Sequence, residues 1–262
     1  MKHRKLKNVF LGLVFLFLYL PIIILVIYSF NSSKVNILFE HFTFTWYKNL
    51  FSNVELLDAF SNTMIIAVVN TVISTIIGTI GAYGLNKYNF KFKGFINGLL
   101  YIPIVIPEIV LGISLLSIYT LMKLELGMFT LILSHIAFSI PFVIVSVRSS
   151  FNSNLVTYEE AAYDLGASKL KTLFLIVLPQ IMPGVVSGAT LAFTLSLDDV
   201  VISYFTAGPG SNTLPLKIYS MIKTGITPDV NALSTIMLLV TIIILTSSAI
   251  MQSHKIATEE TR

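Results

Sequence analysis

Thr157-Tyr158-Glu159-Glu160-Ala161-Ala162-Tyr163-Asp164-Leu165-Gly166-Ala167-Ser168 is a polar island in an apolar chain of 262 residues, and its reading decides the fold. The stretch carries its own start and stop signals. Thr157 followed three residues later by Glu160 has the spacing of a capping box, in which the hydroxyl caps the first turn and the carboxylate reaches back. The helix then runs through Ala161, Ala162 and Leu165, and Gly166 supplies a stop. Ser168 is placed to cap a second helix through Leu170, Leu173 and Phe174 as far as Pro179. The expectation is a short helix, a sharp bend and another helix, standing between two apolar segments.

Outward from this island the chain is built of such segments. Residues of the set AVILMFWYC make up 55% and charged residues 11%, against roughly 25% charged in an ordinary soluble domain. A chain this poor in charge is expected to sit in a membrane. A span needs about 20 mostly apolar residues. Six stretches qualify: Val9–Tyr28, Thr63–Leu85, Gly98–Met122, Phe129–Val147, Gln180–Tyr204 and Leu233–Met251. The first follows Lys2, Arg4, Lys5 and Lys7, but Ser29-Phe30-Asn31-Ser32-Ser33 makes a poor cleavage site, so it reads as a retained anchor. Of the 17 Lys and Arg residues, twelve lie at the termini and in residues 86–97 and 148–179, and five in the alternate loops. The positive-inside rule then puts both termini and the polar island in the cytoplasm. The formal charge of +4 follows from this topology, and no nucleic-acid partner is expected.

Two spans carry small residues every fourth position: Ser74, Gly78 and Ala82, and Gly184, Gly188, Ala192 and Ser196. Such ridges let helix backbones approach closely in lipid, either inside one bundle or at a subunit interface. Trp46, Leu50, Val54 and Leu57 form a stripe that predicts an amphipathic helix on the outer surface, with Trp46 at headgroup level. Residues 205–232, with Gly208-Pro209-Gly210, Pro215 and Pro228, are too long for a simple turn and predict a folded outer element or docking surface.

Three acids lie in the predicted spans, Glu108, Asp198 and Asp199, with no mid-membrane Lys or Arg. Each costs about 2.5–3.5 kcal/mol at a helix centre, so three of one sign point to a cation. Along straight helices Glu108 falls about 15 Å into its span and Asp198 about 27 Å along its own. At 100° per residue Asp199 shares the small-residue face and Asp198 is turned aside. Protonated Glu108 bonded to carbonyls freed by Pro107, and Asp198 simply solvated at the outer mouth, are the structural alternatives. Tyr119, Tyr204, Phe205 and Tyr219 supply aromatic faces for an alkylammonium, with a membrane-surface belt as the alternative for Tyr204 and Phe205.

Other chemistry is missing. There is no cysteine and no Gly-Lys dipeptide, hence no P-loop of the usual form. His3, His41, His135 and His254 show no HExxH spacing, and no GxSxG occurs. His135 is expected to be a packed neutral histidine. No catalytic residue, metal or cofactor is expected.

Glu160-Ala161-Ala162, Gly166, Ile176 and Leu178-Pro179, at their spacings, match the "EAA" signature, and the chain resembles permease subunits of type I ABC importers. That resemblance implies an all-α, MetI-like fold of six transmembrane helices over residues 1–262. It implies a non-catalytic subunit whose coupling helix, with Glu160, Ala161, Ala162 and Gly166, docks on a separate ATPase. Residues 103–122 and 195–239 are similar to permeases of spermidine/putrescine importers. The resemblance thus implies polyamine as substrate, with Glu108, Asp198, Asp199 and Tyr219 on the path. It also implies a second permease, an ATPase dimer and an external polyamine-binding protein as partners, and a bacterial cytoplasmic membrane as location. A permease of the same family for another solute is the nearest alternative. A stand-alone secondary transporter or cation channel would explain the acids but not the loop, and an intramembrane enzyme lacks any nucleophile–base pair.

Overall fold

The computed structural model describes residues 2–33, 38–152, 154–224 and 228–260. Among the described residues there is no strand beyond one isolated bridge, Asn31 to Phe42. The helices are α1 (Lys2–Tyr28), α2 (Thr45–Ser52), α3 (Val54–Lys87), α4 (Lys93–Val105), α5 (Glu108–Leu121), α6 (Met128–Arg148), α7 (Asn154–Asp164), α8 (Lys169–Thr172), α9 (Leu178–Leu197), α10 (Val201–Thr206), α11 (Leu214–Thr224) and α12 (Pro228–Glu260). A π turn over Leu173–Val177 joins α8 to α9. Within Lys7–Tyr28, Val54–Lys87, Met128–Arg148, Lys169–Leu197 and Pro228–Ser247 the helices are long and apolar enough to cross a membrane. The pair α4 and α5 is long and apolar enough only when taken together and is bent by 110°, the form of a broken span or of a re-entrant loop.

Two breaks depart from the sequence reading. The expected span Gly98–Met122 is not one rod. Pro107 pushes the residue before it out of the helical region, and Ile106 is extended at φ −69°, ψ 137°. Glu108 therefore opens a new helix, and its depth cannot be counted along a straight span. Conversely, Pro179 does not end a helix. It has no N–H to bond the carbonyl four residues back, and the five-residue π turn just before it widens the coil where an α-helix would be strained. Lys169–Leu197 thus continues as one 29-residue element.

By contacts the chain forms two compact units, residues 1–58 with 217–243, and residues 59–216 with 244–262. In the first, the predicted stripe from Trp46 to Leu57 is interrupted. Asn53 takes φ −91°, ψ 100° after α2, and its side-chain oxygen accepts from the Leu56 N–H at the start of α3, as a helix cap does. Leu50 is buried while Val54 and Leu57 are exposed. The Trp46 indole N–H donates to the Asn31 carbonyl at 2.6 Å, and Phe30 stacks on Phe42 at 5.0 Å. Trp46 is a staple of this element. On α1 every residue from Lys7 to Tyr19 is exposed.

In the second unit α6 is the centre. A Cβ on Gly78 would meet Val143 at 2.6 Å, and one on Gly188 would meet the same side chain at 3.2 Å. Both ridges therefore pack inside this chain, against Val143 of α6, which resolves the choice between bundle packing and subunit contact. Asn70, fully buried, donates to Ser139 at 3.0 Å and to the Ala192 carbonyl at 3.1 Å, and so ties α3, α6 and α9 together. Interhelical polar bonds of this kind contribute about 0.6 kcal/mol each. An apolar cluster of Ala82, Leu85, Val143, Val147, Leu155, Val177 and Ile181 closes one end of the bundle.

Candidate functional site

The polar island folds as a bent pair of helices, with a different start from the one predicted. Helix α7 begins by Asn154, so Thr157 and Glu160 lie inside it and form no capping box. Both are exposed. The face turned into the protein is set by Leu155, 2% exposed, and Glu159, one turn later and 7% exposed. The bend is as expected. Gly166 sits at φ +83°, a region that favours glycine. Its N–H bonds the Tyr163 carbonyl at 2.8 Å, and the Ala167 N–H bonds Ala162 at 2.9 Å, the two bonds of a Schellman end. The Ser168 hydroxyl accepts from Lys171 N–H at 3.4 Å to start α8. Leu165, 89% exposed, and Glu160 project outward beside the bend. Ala161 is exposed and Ala162 half-buried.

Behind α7 lies a cluster the sequence reading missed. Lys87, the last residue of α3, pairs with Glu159. Its ammonium also donates to Tyr83 OH at 2.6 Å and Tyr163 OH at 2.9 Å. A lysine at a helix C-terminus is favourable in its own right. Nothing in the local sequence announced that its partner stands 72 residues away.

The three acids gather at two helix breaks, where Asp199 meets His135 in the N-terminal half of α6. Helix α9 stops at Leu197 with Asp198 as its cap, so the helical angles projected onto residues 198 and 199 do not apply. Asp199 is the buried one, 8% exposed. Its oxygens accept from Ile202 N–H at 3.1 Å, Ser203 N–H at 2.7 Å and the Ser203 hydroxyl at 2.7 Å, satisfying the orphan donors that begin α10. His135 on α6 approaches Asp199 at 3.5 Å and bonds Ser196 at 2.7 Å and Ser203 at 3.2 Å. Packed is right for His135, and it anchors α10 to α6. Asp198, expected to be aimed aside, is exposed, as is Glu108. Glu108 is close enough to interact electrostatically with both aspartates. Among the described residues neither Glu108 nor Asp198 is paired with a lysine or arginine. Helix α10 packs on α5, and a Cβ on Gly112 would meet the Phe205 ring at 2.6 Å.

The candidate aromatics divide. Tyr119 is buried, with its hydroxyl on Ser134 at 2.8 Å and the Thr130 carbonyl at 3.3 Å, so it is a packing residue. Phe205 lies against Gly112. Tyr219 belongs to the other compact unit, and the Lys223 ammonium lies 4.5 Å over its ring. Tyr204 alone of the four shares the acids' unit with an exposed ring.

Comparison with known proteins matches residues 71–254 to the family described as binding-protein-dependent transport system inner membrane component. Over 252 residues the chain is 43% identical to the spermidine/putrescine transport system permease protein PotC of Escherichia coli (strain K12), covering 96% of each. It is 40% identical to the putrescine transport system permease protein PotI of the same organism, covering 88% of this chain and 85% of that one. Among solved structures it is similar to a chain of a bacterial ABC transporter involved in the import of the acidic polysaccharide alginate, with a TM-score of 0.72, 18% identity and 94% of each chain covered. The relatives at 43% and 40% identity are permease proteins of transport systems, and the all-α bundle has the fold of a chain of such a transporter. The chain belongs to the family of binding-protein-dependent transport system inner membrane components.

Proposed function

We propose that this chain is one permease of an ATP-driven importer of spermidine or putrescine, and that Glu108 and Asp198 line its substrate path. The single observation that carries the substrate class is the cluster of three carboxylates at two helix breaks, two of them exposed and, among the described residues, unpaired with any basic side chain. Broken helices in a membrane are tolerated where backbone lines a cavity. A polyamine is a chain of ammonium groups on apolar spacers, and a row of carboxylates compensates its desolvation. The similar alginate importer carries an acidic polymer on the same fold, so the fold itself does not choose the charge. Asp199 adds negative field while holding α10 in place. Names of the relatives at 43% and 40% identity point to the same substrates.

Residues 1–262 are read as one permease domain that works with a second permease, an ATPase dimer and an external polyamine-binding protein. Glu160, Ala161, Ala162 and Gly166 form the surface that meets the ATPase. Both termini are placed on the cytoplasmic side of a bacterial cytoplasmic membrane by the basic-residue asymmetry. The side chains of Lys2, Arg4, Lys5 and Lys255, and residue Arg262, enter that count but lie outside the described side chains. The test is uptake of labelled spermidine by cells with this permease deleted and restored, competed with putrescine and with a neutral sugar. Restored uptake that putrescine lowers and the sugar does not is the expected result. Restored transport of a neutral or anionic solute, with no polyamine uptake, would overturn it.

A further inference from the structure

Helix α7 has 11 residues, too short to hold a shape unaided, so its orientation is set by what lies behind it. Two side chains on its inner face, a turn apart, do this in different ways. Leu155 enters the apolar cluster, a contact without direction that tolerates rolling and sliding. Glu159 meets Lys87, and that contact is directional.

An ammonium has three N–H donors. On Lys87 they go to Glu159, Tyr83 and Tyr163. Tyr83 stands one turn before Lys87 on α3, and Tyr163 one turn after Glu159 on α7, so each helix supplies one tyrosine. The ammonium lies 5.0 Å from one ring centroid and 5.2 Å from the other. The Lys87 and Glu159 side chains are only 25% and 10% exposed. With its donors committed inside the protein, Lys87 is not a free cation for lipid phosphate or for a partner. A charge-assisted bond is shorter and stronger than a neutral one, and three partners on two helices hold the ammonium in place.

We propose that Lys87 and Glu159 are positioning residues for coupling: they form the rigid link through which displacement of α7 is passed to α3 and so to the bundle. The proposal rests on the reading of α7 as the coupling element. The Glu160 face meets the partner, and the Glu159 face, about 100° round the helix, hands the motion to the membrane.

The test uses the complete importer reconstituted in liposomes, with Lys87→Met, Glu159→Gln and the exchanged pair Lys87→Glu with Glu159→Lys. Uptake per ATP hydrolysed is expected to fall at least fivefold in each single variant, with the ATPase still bound, and to return to within twofold in the exchanged pair. A second measurement needs no substrate. The chain has no native cysteine, so spin labels can be placed through Asn86→Cys and Asp164→Cys, at exposed ends of α3 and α7. Their distance distribution is expected to be narrow in the wild type and at least twofold wider with Lys87→Met. A distribution that stays narrow overturns the link, as does an uptake-to-ATP ratio unchanged in both single variants. A wild-type complex that carries no polyamine would sink the substrate reading alone, because the distance measurement stands without it.

Discussion

The two ends of the α6 bundle handle charge in opposite ways. At the α7 end one cation and one anion meet, and two tyrosines take up the remaining donors of the lysine. At the α10 end three carboxylates gather, and Asp199 is the one whose oxygens are taken up by protein donors among the described residues, two backbone N–H groups and a serine, with His135 beside it. A cluster whose bonds are closed within the protein can transmit a displacement but has nothing to offer a solute. A cluster with two open carboxylates costs stability until a cation arrives. On the proposed function the contrast separates a mechanical end from a chemical end, and each can be broken without the other.

The largest effect is expected from Asp199→Leu. It strips the caps from α10 and leaves His135 facing an apolar group, at about 1–3 kcal/mol for each buried polar group left unpaired. The amount of folded permease in the membrane should fall severalfold, measured by size-exclusion recovery after mild detergent extraction. Recovery equal to wild type would remove Asp199 from its holding role. Next comes Glu108→Gln combined with Asp198→Asn. Folded amount should stay normal while spermidine uptake per permease falls more than tenfold, a factor that needs only about 1.4 kcal/mol of lost stabilisation. Uptake within twofold of wild type would take these acids off the path. At the other end, Gly166→Val forces a β-branched residue to positive φ at about 1–2 kcal/mol, though no atom lies within 4 Å of the added Cβ. ATPase co-purification should drop by a factor of about three to ten. Gly166→Asn, which tolerates that region better, should retain more; equal losses in both would point to something other than backbone strain. The smallest change is expected from Trp46→Phe, which keeps the ring and loses the bond to the Asn31 carbonyl, about 0.5–1.5 kcal/mol. Uptake should stay within twofold, with a slightly lower melting temperature of the purified chain. A melting temperature equal to wild type would show that the indole bond contributes nothing.

What the sequence disclosed follows from what local pattern encodes. Apolar runs, small-residue ridges and the glycine bend at Gly166 depend on near neighbours, and they match the helices, the packing on Val143 and the Schellman end. Glu159 with Lys87, and Asn70 with Ala192, depend on partners 72 and 122 residues away, and no local pattern names a distant partner. A polar residue in the middle of an apolar run was the one available sign for Asn70. The reversal of Asp198 and Asp199 has a simpler origin. Helical angles hold only as far as the end of α9 at Leu197, and the adjacent aspartates meet different surroundings, Asp199 buried and Asp198 exposed, once the chain turns to start α10. Pro107 was visible, but a proline shows that a helix is disturbed without giving the angle at which the chain resumes.

The π turn at Leu173–Val177 holds the coil open by one extra residue between the bend and the small-residue ridge. One residue is about 100° of rotation and 1.5 Å of rise. Deleting any one of the five would let this segment close into ordinary α-helix, leaving the ridge facing α6 and swinging everything before it around the helix axis by more than a quarter turn. The outward apolar knob at Leu165 would then present to a different side of the molecule, even with Glu160, Ala161, Ala162 and Gly166 left in place. In this chain the length of a segment, as much as its composition, is inherited as an azimuth.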